Sequence, residues 1–355
     1  MTAMHRSKTL VVRLDNVGDV VLTGPAVRAV AAHSSVTYLA GPGGAAAARL
    51  LPGVDEVLVF DAPWVAYDAA PLEPRAIDRV VGEISARSFD TALVLTSFHQ
   101  SALPMALLAR MAGVPHVVAT SVDYPGSLLD VRLPYDETAH EVIQSLSVAR
   151  AAGFELPAHD DGRLRLRPEV TTGDLDLGRY VVVHPGASVP ARALPFRAAH
   201  DSVPALVDRG WHVVVTGGAT EVDTCRAVAG ERYPGRVHVL AGQTSLDELA
   251  DVLAHADVVV CGNTGAAHVA AAVGTPVVEA FAPVVDPRRW HPWGVPYLLL
   301  GHLEIGCAGC RSRVCPLGDE PCLNPVTASA VVSAVDLLVA APRDGGTVDL
   351  RAVAR

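Results

Sequence analysis

The sequence predicts an α/β protein with two doubly wound, parallel-sheet domains. Short runs rich in Val and Leu alternate along the chain with alanine-rich stretches of helical length, as they do in parallel sheets wrapped by helices. The strand runs are apolar almost without a break, which is expected where helices cover both faces of a sheet. The chain has 355 residues, enough for two such domains, and the alternation starts afresh near residue 180.

The first series of strands defines an N-terminal domain, residues 1–158. After the first strand, Gly18 and Asp19 are predicted to turn the chain into a helix over residues 20–32, where Pro25 is tolerated only near the first turn. The predicted strands of this domain are residues 9–14, 36–40, 56–60, 91–96 and 116–119.

The second series defines a C-terminal domain, residues 179–341, which closes with an apolar helix over 327–340. Residues 159–178 are polar and turn-prone and are predicted to form the linker, and residues 342–355 are predicted to form a loose tail. Open parallel sheets bind ligands at the carboxyl ends of their strands, so sites are expected on the strand-to-helix loops of a cleft between the domains. The predicted strands of this domain are residues 180–184, 212–216, 237–240, 257–261 and 276–281.

Composition and charge exclude several classes of function. Lys+Arg number 28 and Asp+Glu 38, a net charge of -10 without a dense basic run, which argues against nucleic acid as the main partner. No run approaches the roughly 18 apolar residues that span a bilayer, and Arg13, Asp15 and Asp19 interrupt any signal-peptide core. The protein is therefore expected to be cytoplasmic and without a transmembrane segment.

Four of the six cysteines form a cluster with C-x₂-C-x₄-C-x₆-C spacing: Cys307, Cys310, Cys315 and Cys322. Four soft ligands at this spacing could hold Zn²⁺ tetrahedrally or an iron–sulfur cluster, and the cluster is a candidate structural metal site. Reduced thiols or a disulfide fit the same spacing. None of these alternatives takes part in the chemistry considered below.

The loop after the first strand, residues 13–19, carries the first candidate catalytic group. Gly18 and the start of the following helix favour an anion at this position. Asp19 is therefore a candidate general base that takes a proton from a hydroxyl nucleophile. The alternative is a helix N-cap, a position that Asp fills often.

Two loops of the second domain carry candidate nucleotide contacts. After the strand at 180–184, Ser188 offers a hydroxyl to phosphate, and Arg192 offers a guanidinium to a departing diphosphate. Gly217 and Gly218 permit a tight turn beneath a nucleotide, and Glu221 can then accept hydrogen bonds from ribose hydroxyls. The alternative for this second loop is an ordinary turn followed by a helix cap.

A further loop, residues 262–268, precedes a helix of very small residues over 269–273. Asn263, Thr264 and Gly265 lie where backbone amides at a helix start favour phosphate. His268 fits either a buried core histidine or a pyrophosphate contact.

Five groups of sequence segments between residues 11 and 323 together carry a family resemblance. In chain order they are RLDNVGDVVLTGPAVRA; HPGAS followed by RALP; TGGATE; AGQTSLDELADVLAHADVVVCGNTGAAHVAAAVGTPVV; and FAPVVDPRRWHPWG with CAGCRSRVCPLGDEPCL. In this order they resemble glycosyltransferase family 9, the ADP-heptose-dependent heptosyltransferases. The resemblance implies a GT-B fold of two Rossmann-like domains, with the acceptor bound by the N-terminal domain and the nucleotide sugar by the C-terminal one.

The resemblance also implies the reaction, an inverting and metal-independent transfer of a heptose or related sugar from an ADP-sugar. Asp19 matches the catalytic base of the family, and no cofactor is required. Arg192 falls where the family commonly has a lysine near the phosphates, and Asn263 stands where it often has Asp.

The remaining donor contacts are likewise implied by the resemblance. Ser188 and the amides of Thr264 and Gly265 complete the diphosphate site, Glu221 lies near the ribose, and His268 becomes a pyrophosphate contact.

The acceptor is expected to be a saccharide, a lipid-linked glycan or a metabolite, with the lipopolysaccharide inner core as the usual acceptor of the family. His99 and Gln100, in the loop 97–101, and the helix start near His140 are expected to lie on the acceptor side. Two other functions stay open: a nucleotide-sugar epimerase, which needs no acceptor, and a nucleotide-sugar-binding protein without chemistry. A Rossmann dehydrogenase is disfavoured because no G-x-G-x-x-G follows any predicted strand.

Overall fold

The computed structural model describes residues 6–97, 100–167, 175 and 177–341. The chain divides into two compact units, Met1–Arg167 and Pro168–Arg355. Each unit contains one six-stranded sheet, and every strand pair in both sheets is parallel. The predicted α/β class with two doubly wound sheets is therefore confirmed.

The sheet of the first unit has the strand order β3-β2-β1-β4-β5-β6. The five predicted strands are present to within about two residues at each end, and β6 is absent from the prediction because it is three residues long and half exposed. Its strands are β1 Ser7–Arg13, β2 Ser34–Ala40, β3 Glu56–Val59, β4 Thr91–Val94, β5 His116–Thr120 and β6 Val131–Leu133.

The helix predicted over residues 20–32 is wrong, because two helices replace it. The first begins at Val17 and the second at Gly24, and Thr23 lies between them as the C-cap of one and the N-cap of the other. Pro25 falls in the first turn of the second helix, where its missing N–H costs no hydrogen bond. The helices of this unit are α1 Val17–Leu22, α2 Gly24–Ala31, α3 Ala45–Leu50, α4 Pro74–Ser85, α5 Leu103–Met111 and α6 Glu141–Ala151.

The sheet of the second unit has the order β12-β11-β10-β7-β8-β9. Its five predicted strands are confirmed, and β12 at the sheet edge is absent from the prediction. The strands are β7 Tyr180–His184, β8 His212–Val215, β9 Val237–Val239, β10 Val258–Gly262, β11 Val277–Ala280 and β12 Tyr297–Leu300. The helices are α7 Phe196–Asp208, α8 Val222–Ala229, α9 Leu246–Ala254, α10 Gly265–Ala272, α11 Pro287–Trp290 and α12 Ala328–Ala340.

Both sheets place their first strand where the strand order reverses. In the first unit β1 lies between β2 and β4, and in the second β7 lies between β8 and β10. Side chains of open α/β sheets meet ligands at this switch point. The loops after β1 and β7 are therefore the loops that the topology favours for binding.

Part of the predicted linker packs against the first unit. Asp160 accepts from the Arg28 guanidinium with Nε 2.6 Å from Oδ2, and the Arg167 N–H donates to the Leu50 carbonyl at 2.8 Å. Leu164 and Leu166 are buried. Residues 168–174, residue 176 and the predicted tail lie outside the described residues. No helix among the described residues has the length and apolar character needed to cross a membrane.

Candidate functional site

A buried arginine at the end of β1 gathers three carboxylates in the first unit. The Arg13 side chain is 2% exposed, and its Nε lies 2.6 Å from Asp15 Oδ2. Nη2 lies 3.1 Å from Asp19 Oδ1, and Nη1 lies 3.5 Å from Glu141 Oε2. Burial alone lowers the pKa of Arg13, but the three carboxylates outweigh burial and raise it above its ordinary value. We call these four residues the Arg13 network.

The three carboxylates of the Arg13 network differ in exposure. The Asp19 side chain is 23% exposed, whereas Asp15 is 10% and Glu141 is 1% exposed. Asp19 lies in the first turn of α1, and Asn16 occupies the N-cap, so the N-cap alternative for Asp19 is wrong. Asp19 is therefore the carboxylate of the network that a substrate reaches most easily.

The loop after β4 lies against the Arg13 network. Arg13 Nη2 donates to Ser97 Oγ at 2.9 Å, and Ser97 Oγ donates to Asp15 Oδ1 at 3.4 Å. The Gln100 amide donates to the same Asp15 oxygen at 2.5 Å. Gln100 thus orients Asp15, and its place on the acceptor side stays a prediction. His99 lies outside the described residues.

The start of α6 supplies the most buried carboxylate of the network. His140 is the N-cap, and its Nδ1 accepts from the Val142 N–H at 3.2 Å. Glu141 follows, and its Oε1 accepts from the Tyr135 hydroxyl at 2.9 Å. Burial raises the pKa of Glu141 to about 7, with Arg13 opposing this change and Asp15 adding to it. The acceptor role predicted for His140 stays a prediction.

The loops after β7 and β8 meet in the second unit. Oε2 of Glu221 accepts from the Gly218 N–H at 2.7 Å, which caps the short 3₁₀ turn that Glu221 ends. A Cβ at Gly186 would collide with the Glu221 carboxylate, so only glycine allows this approach. A Cβ at Gly217 would lie 2.6 Å from Cys225 Sγ, so this loop is also close-packed. The helix-cap alternative thus describes Glu221, and its ribose contact stays a prediction.

The loops after β7 and β10 also meet. The Asn263 N–H donates to the Arg192 carbonyl at 3.0 Å, and a Cβ at Gly262 would collide with that carbonyl. The Asn263 side chain is buried, and its Nδ2 has no hydrogen-bond partner among the described residues. Ser188 is exposed on the loop that also carries Arg192. The structure therefore brings Arg192 and Asn263 together, as the predicted diphosphate site requires.

Helix α10 begins beside these loops. Thr264 is its N-cap, with extended backbone and no capping bond from its side chain, and Gly265 is its first residue. His268 is buried on this helix, and burial, with a smaller contribution from His291, lowers the pKa of His268 to about 4. The imidazole is thus neutral at pH 7. The pyrophosphate contact predicted for His268 stays a prediction.

The structure does not gather the four clustered cysteines into a metal site. Across the part of the chain that the structure describes, no group of three or more His, Cys, Asp or Glu side chains could hold a metal ion. Cys307 and Cys310 are exposed on surface turns and Cys315 is partly exposed, whereas the Cys322 side chain packs into the core. The physical reason is the difference in burial: Cys322 serves as an apolar core residue, whereas Cys307 and Cys310 lie at the surface.

Backbone hydrogen bonds tie the cysteine-containing segment to the loops after β7 and β11. The Ala191 N–H donates to the Arg313 carbonyl at 2.9 Å, and the Arg311 N–H donates to the Val284 carbonyl at 3.0 Å. The segment therefore supports the turn that ends at Arg192.

Comparison with known families identifies the chain. The family model described as glycosyltransferase family 9 (heptosyltransferase) matches residues 77–320, which is more than half of the chain. The chain belongs to glycosyltransferase family 9. It is a glycosyltransferase, and the resemblance noted from its sequence is confirmed.

Individual relatives agree with the family 9 assignment. Lipopolysaccharide heptosyltransferase 3 of Escherichia coli is 28% identical over 171 residues, which cover 47% of this chain and 48% of that protein. The match therefore spans about half the length of that relative. Lipopolysaccharide heptosyltransferase 2 of E. coli K12 is 25% identical over 240 residues, which cover 62% of this chain and 68% of that protein.

A solved family 9 structure shows the same fold. The E. coli ADP-heptose lipopolysaccharide heptosyltransferase II has a TM-score of 0.74 and 21% identity, over 94% of this chain and 98% of that one. The predicted GT-B architecture is thereby confirmed.

Arg13 and Glu141, two members of the Arg13 network, were not predicted from the sequence as site residues. Arg13 offered a signal, because it is a charged residue at the end of an apolar strand run. Glu141 offered none, since nothing in its local sequence pairs it with β1.

Proposed function

We propose that this family 9 enzyme transfers a heptose or a related sugar from an ADP-sugar to a hydroxyl of an acceptor, with inversion and without a metal. The acceptor is a saccharide, a lipid-linked glycan or a metabolite. The names of the relatives, lipopolysaccharide heptosyltransferases 2 and 3 and an ADP-heptose heptosyltransferase, support this donor and acceptor class.

One observation carries the assignment of the base. Of the three carboxylates around Arg13, Asp19 is the most exposed, at 23%. The Asp19 carboxylate accepts the proton of the acceptor hydroxyl while the acceptor oxygen gives its electron pair to the anomeric carbon. The bond from that carbon to the diphosphate oxygen breaks, and its electron pair leaves with ADP. Attack from the face opposite the leaving group inverts the anomeric centre.

The donor side rests on residues of the second unit. Arg192 supplies a permanent positive charge for the leaving diphosphate, a task that a metal ion performs in other enzymes. Ser188 and the amides of Thr264 and Gly265 add hydrogen bonds to the same oxygens. The contact between the Asn263 N–H and the Arg192 carbonyl, at 3.0 Å, supports this grouping.

The remaining donor contacts are proposed for the nucleoside. Gly217 and Gly218 let the backbone pass close beneath it, and Glu221 accepts from the ribose hydroxyls. His268, neutral at pH 7, donates a hydrogen bond to the pyrophosphate without adding charge.

The substitution Asp19→Asn tests the base. The side-chain amide of this variant cannot accept a proton, so we expect kcat with ADP-heptose to fall about a hundredfold to ten-thousandfold. Donor affinity, measured by calorimetry with ADP, should stay within about twofold because the base does not contribute to nucleotide binding. Asp68→Asn, on the exposed surface of the same unit, is the control. Normal turnover by Asp19→Asn would show that another group is the base.

Dependence of ADP release on the acceptor tests the reaction class. Transfer releases ADP only when an acceptor is present, whereas an epimerase converts its substrate without one. Mass spectrometry of the sugar product after incubation with ADP-heptose, with and without acceptor, separates the two. An altered ADP-sugar without acceptor would replace the transferase proposal with the epimerase.

A further inference from the structure

The Arg13 network is built from distant parts of the first unit. Arg13 ends β1, Asp15 follows it, Asp19 lies in α1 and Glu141 begins α6. Each of the three guanidinium nitrogens of Arg13 faces a different carboxylate, at 2.6, 3.1 and 3.5 Å. Arg13 and Glu141 are too buried, at 2% and 1% exposure, to contact a substrate directly.

We propose that Arg13 and Glu141 are positioning residues for Asp19, with Arg13 fixing its carboxylate and Glu141 setting, through Arg13, how readily Asp19 takes a proton. This inference rests on the proposed function of Asp19 as the base.

The first half of the inference follows from geometry. A guanidinium is a planar fork, so contacts at two of its nitrogens fix the direction of the third. Nε forms an ion pair with Asp15 Oδ2 at 2.6 Å without the geometry of a hydrogen bond, and the Gln100 amide and the Ser97 hydroxyl orient Asp15. Nη2 is anchored in addition by its hydrogen bond to Ser97 Oγ at 2.9 Å. Nη2 is therefore presented to Asp19 from a fixed position.

The second half follows from charge. One guanidinium and three ionised carboxylates would leave a net charge of about -2 in a largely buried site, which is costly. The cost falls when the most buried carboxyl, Glu141, holds a proton. Burial raises the pKa of Glu141 to about 7, so its charge changes within the physiological range.

The groups that face Glu141 and Arg13 come from several elements. Asp15 and Asp19 approach from the loop after β1 and from α1. The Tyr135 hydroxyl donates to Glu141 from the segment before α6, and Tyr38 on β2 lies close enough to Arg13 to interact with its charge. The adjacent His140 caps α6 through Nδ1.

Ionisation of Glu141 has a definite effect on Asp19. An ionised Glu141 competes for the Arg13 guanidinium and repels the Asp19 anion, which makes Asp19 the stronger base. A protonated Glu141 leaves the guanidinium to Asp19 and makes it the weaker base. The rate of a step with general base catalysis rises with the strength of the base. We therefore expect kcat/KM to rise about threefold between pH 6 and 8, as Glu141 ionises.

Two variants of the full-length enzyme test this step. Glu141→Gln keeps the shape of a protonated Glu141 and cannot ionise, so the rise between pH 6 and 8 should disappear. Tyr135→Phe removes the hydroxyl that stabilises ionised Glu141, so the midpoint of the rise should move to higher pH. The measurement is kcat/KM for ADP-heptose from pH 5 to 9.

Glu56→Gln is the matched control, since Glu56 also pairs with an arginine of the first unit, Arg87, but at the surface. Its profile should follow that of the wild type. A merely structural role of Glu141 would lower activity at every pH without removing the rise.

The outcomes are separate from those of the proposed function. A Glu141→Gln profile that keeps the wild-type rise, or an unmoved midpoint in Tyr135→Phe, overturns this inference. If Glu141→Gln fails to fold, the Tyr135→Phe midpoint decides alone. An active Asp19→Asn enzyme overturns the proposed base, whereas an inactive one with an unchanged Glu141→Gln profile overturns only the positioning role.

Discussion

Arg192 is the residue on which the proposed donor site depends most for positive charge. The sequence contains one lysine, Lys8, so the proposed diphosphate site consists of arginine and backbone amides. Arg192 is the last residue of a 3₁₀ turn, and its carbonyl accepts a hydrogen bond from the Asn263 N–H. The N–H of the preceding residue, Ala191, donates to the Arg313 carbonyl. The turn is thus held from two sides, which limits the entropy lost when the donor binds.

Removal of the Arg192 charge should weaken donor binding. A charge-assisted hydrogen bond is worth about 1.5–3 kcal/mol, so we expect Arg192→Gln to raise the Kd for ADP about tenfold to a hundredfold. Arg192→Lys restores the charge and should recover most of the affinity, although a lysine cannot bond two oxygens as a fork does. Calorimetry with ADP measures both variants, and Arg197→Gln, on the exposed start of α7, is the control. Equal affinities for Arg192→Gln and the control would remove Arg192 from the donor site.

The placement of single candidate residues could be predicted from the sequence where it depends on the local chain, and their roles stay predictions. Asp19 and Arg192 follow buried strands, and Glu221 caps a turn only three residues long. The pairing of Arg13 with Glu141 could not be predicted, because it depends on how β1 and α6 pack. The cysteines are a different case, because their spacing left a metal site, reduced thiols and a disulfide open. In the structure the four are free thiols, and Cys322 packs into the core.

Among the elements, the strands were the easiest to predict and the helix boundaries the hardest. Most strands of both units stand out because they are rich in Val and Leu, whereas β6 has only three residues. Strand β12, Tyr297–Leu300, is equally apolar and was not predicted. The region of 20–32 has helical composition throughout, but the chain stops at Leu22 and restarts at Gly24. Composition indicates helix propensity, but it does not indicate where one helix ends and the next begins. Here Thr23 lies at the break, and Pro25 lies in the first turn of the second helix.

Strand β11 contains a polar carboxyl group in a fully buried position. Glu279 is fully buried opposite Cys261 of β10, and its carboxyl oxygens have no hydrogen-bond partner among the described residues. Burial raises the pKa of Glu279 well above its ordinary value, because it disfavours the charged form of the carboxyl. A buried polar group without a partner costs about 1–3 kcal/mol.

Replacement of this carboxyl by an apolar group should therefore stabilise the protein. Methionine has a similar length and no strong polar atoms, so we expect Glu279→Met to raise the free energy of unfolding by about 1–3 kcal/mol. Glu279→Gln is the matched control, because it keeps a polar group of the same size, and it should change stability by less than about 1 kcal/mol. Urea unfolding followed by circular dichroism measures both. A Glu279→Met protein less stable than Glu279→Gln would mean that the carboxyl has a favourable role at this position.

At the scale of the whole molecule, the repeat of the αβ series along the chain was enough to predict two parallel sheets. Each series has its own apolar core, so the sheet of one unit could be predicted without reference to the other. The exact division of the chain was harder, because residues 160–167 are polar in sequence yet pack on the first unit through Arg28 and Leu50. The polar composition predicts a linker there, and the Arg28–Asp160 ion pair, which is largely buried, holds the first part of that segment against the first unit.

The net charge of -10 is a property of the whole molecule and does not reveal the local charges at its two candidate sites. In one, a single buried guanidinium is outnumbered by carboxylates, and in the other an arginine lies beside helix and loop amides. Both sites depend on local charge, so the pH dependence of folding should also be set by a few buried groups rather than by the net charge.

Glu141 gives this dependence a definite sign. Its pKa is raised from 4.5 to about 7 in the folded protein, so the folded state holds more protons than the unfolded state between these values. The stability that protonated Glu141 contributes is therefore present in full below about pH 4.5 and is lost as the pH rises through about 7.

Glu141→Gln cannot ionise, so its stability relative to the wild type should increase from pH 5 to pH 8. From pH 5 to pH 8 the difference should grow by about 2–3 kcal/mol, because the pKa of this almost wholly buried carboxyl rises from 4.5 to about 7 on folding. Thermal unfolding of both proteins at pH 5, 6, 7 and 8 measures it, with Glu56→Gln as the surface control. Since substitution in the Arg13 network also changes packing, the change of this difference with pH reports the titration of Glu141, and its size at a single pH does not. Parallel Tm curves across this range would mean that Glu141 is ionised throughout and that Arg13 alone compensates all three carboxylates.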